Sequence, residues 1–271
     1  MAKQLRDIKP IRPLLAHRPL TVFSDIDGTL APIVADPQDA RVTSRARESL
    51  RDLMALGVGV GLITGRDLAK AREMTELADA AYAANHGLTL SVGGDDETPE
   101  VVRDFVPRVQ AVIQETAGVE SAGVFVEDKG PIVVFHYRRA PSPEEAREAI
   151  DAVLSASAAA AAFRVHEGRM VIELRPPLAV DKGTALEELS RRMGAGAVIC
   201  LGDDRTDVDM FRRVTAMRER GTPGASVAVG SEEVTDEVLD GADYSVDGVA
   251  GVEWLLGEIV RVLRETAPSG R

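Results

Sequence analysis

The stretch FSDIDGTL, Phe23 to Leu30, runs from an apolar strand straight into two aspartates one residue apart, followed by Gly-Thr. Two carboxylates that close repel each other, so a cation must offset them. Three other places carry polar groups of the kind such a site would use: Thr64, Gly65 and Arg66 after the apolar run VGVGLI, Lys182 in DKG, and Asp203, Asp204 and Asp207 after AVICLG. In an open parallel sheet, ligands bind beyond the carboxyl ends of the strands. If these runs are neighbouring strands, all four groups converge on one small volume.

Carboxylates meeting at one point call for a hard cation with all-oxygen ligation, most simply Mg²⁺ with several waters retained. Asp25, Asp27, Asp203 and Asp207 are the candidate ligands, with Asp203 the best placed as the third. Asp204 and Asp207 could instead orient water and Lys182. A phosphate dianion would complete the neutralisation. Asp25 could then offer one oxygen to phosphorus as nucleophile. Asp27, two residues on, could act as general acid toward the leaving oxygen and then as base toward water. Gly28 lets the backbone approach a phosphate closely, and Thr29, Thr64, Gly65 and Arg66 stand with it as candidate contacts. Lys182 offers a compact positive charge to the phosphoryl oxygens and to Asp25. Each piece alone has an ordinary structural explanation: a turn for DxD, a helix cap for Thr64, a surface charge for Lys182, helix-terminal charges for Asp203 and Asp204. Their occurrence together, in this order, is what favours chemistry.

The elements that would position these groups alternate. LTVFS, VGVGLI and AYAA read as strands, separated by helices over TSRARESLRDLMALG and GRDLAKAREMTEL. This β-α-β-α-β order predicts an α/β fold: a Rossmann-like core with a parallel sheet and helices on both faces. After about residue 95 the rhythm becomes helix, hairpin, helix, hairpin. The helices fall over VPRVQAVIQETAG and SPEEAREAIDAVLSASAAAA, the latter with Ser142 as N-cap and Glu145 completing a capping box. The hairpins fall over GVFVEDKGPIVVFHYR and FRVHEGRMVIELRP, the second turning at Glu167-Gly168. Helices and strands alternate again from DKGTALEELSRRMG onward. The expected organisation is a core over residues 1–95 and 179–271, with a small inserted α/β cap bearing an antiparallel sheet over 96–178. The turn-rich SVGGDDETPE, near 91–100, and Arg175-Pro176-Pro177 are the expected hinges.

Composition narrows the class. The 271-residue chain carries a net charge of −12, which argues against nucleic acid or a membrane surface as partner, since both need a basic footprint. Its 32 basic residues include only five lysines, two of which, Lys129 and Lys182, fall inside motifs. The single cysteine, Cys200, precludes an intrachain disulfide and reads as a small buried hydrophobe. The first twenty residues lack the apolar core of a signal peptide, and no run reaches membrane-span length. The expectation is a cytoplasmic protein. A monomer is the default, with nothing in the sequence that fixes the oligomeric state.

The series D-x-D-G-T, Thr after an apolar strand, Lys, then G-D-D-x-x-D resembles the four-part signature of the haloacid dehalogenase (HAD) superfamily. DIDGTLAPIVADPQDA, LITGR, NHGL, VEDKGPIVVFHYR, ELRPPLAVDKGTAL and LGDDRTDVDMF are similar to the trehalose-phosphate phosphatases in particular. The resemblance implies Asp25 as nucleophile, Asp27 as acid/base and hydrolysis of trehalose 6-phosphate through an aspartyl phosphate, with the cap closing on the sugar. It implies that Glu127, Lys129, Arg138 and Glu173 hold the distal glucose and that His86 and Gly87 lie near the phosphate-bearing sugar. Strand alternation would put Glu127 and Lys129 on one face, and His136 and Arg138 on the partner strand; a structural ion-pair network is the competing explanation of these charges. The chain departs from the family in having Ile26 between the aspartates and Asn85 before His86. Two other readings compete with this one: a phosphatase for another glycosyl phosphate, of sucrose- or glucosylglycerol-phosphate type, and a non-catalytic sugar-phosphate sensor.

Overall fold

The computed structural model describes residues 2–34, 37–168, 170–231 and 234–266. In chain order the elements are β1 (Lys3–Gln4), β2 (Leu20–Ser24), α1 (Ser44–Ala55), β3 (Gly59–Ile63), α2 (Leu68–Thr75), β4 (Ala81–Ala84), β5 (Thr89–Val92), β6 (Asp95–Glu97), α3 (Glu100–Arg103) and α4 (Val106–Glu115). There follow β7 (Phe125–Asp128), β8 (Val133–His136), α5 (Pro143–Ala156), β9 (Arg164–Gly168), β10 (Val171–Arg175), α6 (Lys182–Arg192), β11 (Ala197–Gly202), α7 (Val208–Glu219), β12 (Gly224–Gly230), α8 (Asp236–Gly241), β13 (Tyr244–Asp247) and α9 (Gly248–Thr266). The chain divides into two compact units, residues 1–97 with 180–271, and residues 98–179.

In the larger unit the sheet order is β1-β13-β12-β11-β2-β3-β4-β5-β6. Every pairing from β1 to β4 is parallel; β4–β5 and β5–β6 are antiparallel. The central strands are apolar throughout because both faces are covered. Val22, Val60, Leu62, Ile199 and Leu201 pack on one side with Leu50, Leu53, Leu255, Leu256 and Ile259 of α1 and α9. On the other side Phe23, Ile63, Val198 and Cys200 pack with Leu186, Leu189, Phe211 and Val214 of α6 and α7. The crossovers run one way from β2 to β3 and the other way from β11 to β12. The adjacent pair β2 and β11, in register Ser24 opposite Leu201, is therefore the switch point of the sheet.

Local chemistry sets the element ends. Thr43 caps α1 by accepting from the Ala46 N–H, and Gly57 follows its last turn at φ 78°. Residues 89–97 form the hairpin β5–β6 on the edge of the large sheet, turning on Gly93 and Gly94, both at positive φ. Such a Gly-Gly turn matches strand twist, so a polar pair of strands forms in the first part of SVGGDDETPE, and the boundary between the two compact units, at residues 97–98, falls in its last part.

The smaller unit holds a four-stranded antiparallel sheet, order β7-β8-β10-β9. Val133, Phe135, Ile172 and Leu174 pack on one side with Val109, Val112, Ala146 and Ile150 of α4 and α5. Ser142 caps α5 by accepting from the Glu145 N–H. The second hairpin turns two residues later than expected, since β9 continues through Gly168, which pairs with Val171; of the intervening pair, Arg169 lies outside the described residues. The expected α/β architecture is thus present, a mostly parallel sheet in the larger unit and a separate small antiparallel sheet in the other.

Gly61 lies directly opposite Phe23 on β2, and a Cβ there would enter the fully buried Phe23 ring. Gly61→Val is expected to cost about 1–3 kcal/mol through overpacking. The check is a lower denaturant midpoint with an unchanged m-value.

Candidate active site

Asp25 follows β2 directly, and its N–H continues the ladder by donating to Leu201 O at 3.0 Å. Beyond it the chain turns tightly: Leu30 and Ala31 N–H both donate to Ile26 O, and Gly28 N–H donates to Ala31 O. Gly28 has φ 78°, and a Cβ there would overlap the Asp203 carboxylate, so glycine is required on both counts. Thr29, fully buried, donates from Oγ1 to Asp203 Oδ1 at 3.0 Å.

Lys182 stands at the first position of α6. Asp181 caps that helix through a reciprocal bond pair with Thr184, which fixes where Lys182 leaves the backbone. Gly183 lets this helix end press against the Asp209 carbonyl. The buried Lys182 ammonium donates to Asp207 Oδ1 at 2.7 Å and lies 3.0 Å from Asp25 Oδ1. Asp207, also fully buried, accepts at Oδ2 from the N–H groups of Asp203 and Asp204, each at 3.0 Å. Asp207 thus orients Lys182 and the loop carrying Asp203, while Asp204 caps the short turn over residues 205–207.

Carboxylate oxygens of Asp25, Asp203 and Asp207 all lie within 4.8 Å of one another. Three carboxylates against one ammonium leave two negative charges uncompensated, which is the deficit a divalent cation fits. The protonation energetics agree. Burial above all, opposed by Lys182 and reinforced by Asp207, Asp203 and Asp27, drives the Asp25 carboxyl well above the ordinary carboxylate range. Burial, then Asp207, raises Asp203 to about 7 against Lys182 and the Thr29 hydrogen bond. For Lys182 burial opposes the charge, yet Asp207 and Asp25 outweigh it and hold the ammonium above its usual value.

Asp27, expected among the ligands, is not one of the three clustered carboxylates. Its Oδ2 and Oδ1 accept from Arg66 Nε and Nη2 at 2.9 and 2.7 Å. Arg66 and Thr29 were both expected to face a phosphate; the structure engages them with Asp27 and Asp203. Thr64, buried at the end of β3, caps the next turn by accepting from Arg66 N–H at 3.1 Å. Asn85, His86 and Gly87 follow β4 with φ 50°, 58° and 100°. The His86 ring lies where a Cβ on Gly65 would come within 2.6 Å, so Gly65 admits the imidazole beside Thr64. Gly87 is packed similarly closely on Ala185 of α6.

On the smaller unit's sheet, Lys129 Nζ lies 3.9 Å from Glu127 and 3.6 Å from Glu173, and His136 Nε2 lies 2.8 Å from Glu127 Oε2. Lys129 belongs to the hairpin turn, where its N–H donates to Ile132 O. Arg138 is not on the partner strand: β8 ends at His136, and Arg138 is exposed in the turn that follows. Two residues escaped the sequence reading. Arg175 bonds Glu173 through its guanidinium, and His166 sits opposite Glu173 in the ladder. The spacing of Arg175 two residues after Glu173 could have revealed the first; only the strand register reveals the second.

Because the Asp25 and Asp203 carboxyls are raised, the unfolded chain ionises first as pH rises. Stability of the metal-free protein should therefore fall as pH rises from about 4 through the Asp203 value near 7, with Asp25 adding to the fall. Adding a divalent cation should raise the melting temperature more at pH 8 than at pH 5, as thermal melts across pH will read. Lys182→Met leaves the buried acids without their ammonium and should destabilise the metal-free protein at pH 8 by about 3–5 kcal/mol. Low pH or divalent cation should recover part of that loss.

Residues 23–248 match the family model described as trehalose-phosphatase. The chain is 30% identical over 263 residues to trehalose-phosphate phosphatase B of Arabidopsis thaliana, covering 91% of this chain and 68% of the relative. It is 38% identical over 224 residues to a trehalose-phosphate phosphatase of Mycobacterium avium, covering 77% of this chain and 55% of the relative. The chain thus spans about two thirds and about half of these relatives. Among solved structures, the C-terminal domain of the Candida albicans trehalose-6-phosphate phosphatase superposes with a TM-score of 0.76 at 22% identity, covering 96% of this chain and 98% of that one. The Aspergillus fumigatus trehalose-6-phosphate phosphatase does so with 0.63 at 28%, covering 97% and 100%. With the family model matched over most of its length, the chain belongs to the trehalose-phosphatase family of phosphoric monoester hydrolases.

Proposed function

We propose that this protein hydrolyses trehalose 6-phosphate to trehalose and inorganic phosphate, through an aspartyl phosphate on Asp25 and with Mg²⁺ as the divalent cation. The observation that carries the reading is the position of Lys182, bonded to Asp207 at 2.7 Å and 3.0 Å from Asp25 Oδ1, at the sheet's switch point. A lysine so held fixes one oxygen of Asp25 and leaves the other to meet phosphorus.

In the first step Asp25 forms a bond to phosphorus as the bond to the sugar's 6-oxygen breaks, and Asp27 gives that oxygen a proton. In the second, Asp27 takes a proton from water as the water oxygen attacks phosphorus, releasing phosphate and the Asp25 carboxylate. Lys182 offsets charge on the phosphoryl oxygens in both steps. Asp25 and Asp203 would hold the cation, which neutralises phosphoryl charge when bound. Thr64 and the Gly28 backbone are the proposed phosphate contacts. His86 and Gly87 are proposed to lie near the phosphorylated sugar, and Glu127, Lys129, Glu173 and Arg138 to bind hydroxyls of the distal glucose, since carboxylates accept and cationic groups donate. The working protein is proposed to be a cytoplasmic monomer serving trehalose biosynthesis, and no helix among the described residues is long and apolar enough to cross a membrane.

Phosphate release from a panel of sugar phosphates tests this. Trehalose 6-phosphate should be turned over fastest, and chelation should abolish the reaction. Turnover no faster than glucose 6-phosphate would remove the substrate assignment and leave the class. Asp25→Asn should lower kcat by about three orders of magnitude or more while substrate still binds; substantial residual turnover would remove the covalent mechanism.

A further inference from the structure

The two aspartates of DIDGT are served by different cations. Asp25 is held by Lys182, and Asp27 by Arg66. Lying two residues from Asp25 beyond the strand end, Asp27 is close enough for its charge to act on Asp25. An anion that near a cluster short of two positive charges is a natural additional ligand for any cation entering it. We propose that Arg66 is a positioning residue that holds the Asp27 carboxylate apart from the carboxylate cluster of Asp25, Asp203 and Asp207, keeping it available to the substrate's leaving oxygen.

The geometry of the clamp supports this. Both Asp27 oxygens are occupied by the guanidinium fork, at 2.9 and 2.7 Å, which fixes the direction of the carboxylate as a single point charge could not. The side chains are 14% and 29% exposed, so the pair is largely shielded from the screening that makes surface ion pairs weak. The Arg66 backbone is pinned on both sides. Its N–H donates to Thr64 Oγ1 at 3.1 Å, and its carbonyl accepts from Asn85 N–H at 2.8 Å. Asn85 and His86 hold left-handed φ values of 50° and 58°, which non-glycine residues adopt at a cost and chiefly where surroundings enforce it. An incidental ion pair would need neither pin.

The test is a double-mutant cycle read by calorimetric titration of Mg²⁺ into the apo protein. Arg66→Met should tighten Mg²⁺ binding by about tenfold, because Asp27 is released toward the cluster. In an Asp27→Asn background the same substitution should change affinity by less than about twofold, since its effect runs through Asp27. An equal shift in both backgrounds, or none in either, overturns the proposal. If Arg66→Met fails to give a cooperative melt, Arg66→Lys, which keeps the charge and loses the fork, carries the same cycle. The kinetic arm rests on the phosphatase reading: Arg66→Met should lower kcat by about tenfold to a hundredfold with KM unchanged. A raised KM with kcat intact would instead make Arg66 a substrate contact. Should the wild type release no phosphate from any sugar ester, that reading fails, and the Mg²⁺ cycle still decides the role of Arg66.

Discussion

Four carboxylates and two cations crowd the carboxyl ends of two neighbouring strands, and the balance of charge among them constrains the rest of the molecule. Asp25, Asp203 and Asp207 are gathered around Lys182, while Asp27 is drawn off by Arg66. Buried acids are tolerated only where each finds a partner, because the interior offers no water to solvate them. Asp207 illustrates the point: fully buried, it accepts from one ammonium and two backbone N–H groups. What stays uncompensated is negative charge, which a divalent cation can neutralise so that an anionic phosphoryl group can enter.

Much of the surrounding sequence reads as the means of holding these charges at fixed distances. Glycines stand where a side chain would collide with the site: Gly28 against Asp203, Gly202 against Asp207, Gly183 against the backbone of α7. The Asp181–Thr184 capping box sets the start of α6 and hence the direction of Lys182. The apolar strands behind them, buried on both faces, form a rigid base on which a few tenths of an ångström can matter.

The smaller unit follows a different logic. One face of its sheet is a packed apolar core, while Glu127, Lys129, His136, Glu173 and Arg175 are linked by ion pairs and hydrogen bonds. For the strand residues alternation produces this division, since successive side chains point to opposite faces; Lys129 joins the network from the β7–β8 turn. A network of groups that both donate and accept suits a polyhydroxylated ligand, and the same network is also stabilising when no ligand is present.

The sequence by itself determined the alternating elements, the inserted helix–hairpin pattern and the identities of Asp25, Lys182, Asp203 and Asp207, because strand-end acids after unbroken apolar runs are legible as local pattern. It also determined the Ser142 cap, where the chemistry spans only three residues. Only tertiary structure decided that Asp27 belongs with Arg66, that Thr29 serves Asp203, that His166 faces Glu173 and that Arg138 leaves the strand. The physical reason is range. Capping and periodicity are written in neighbouring residues, whereas the partner of a charge is fixed by sheet register and by turns that bring together side chains as far apart as 29 and 203.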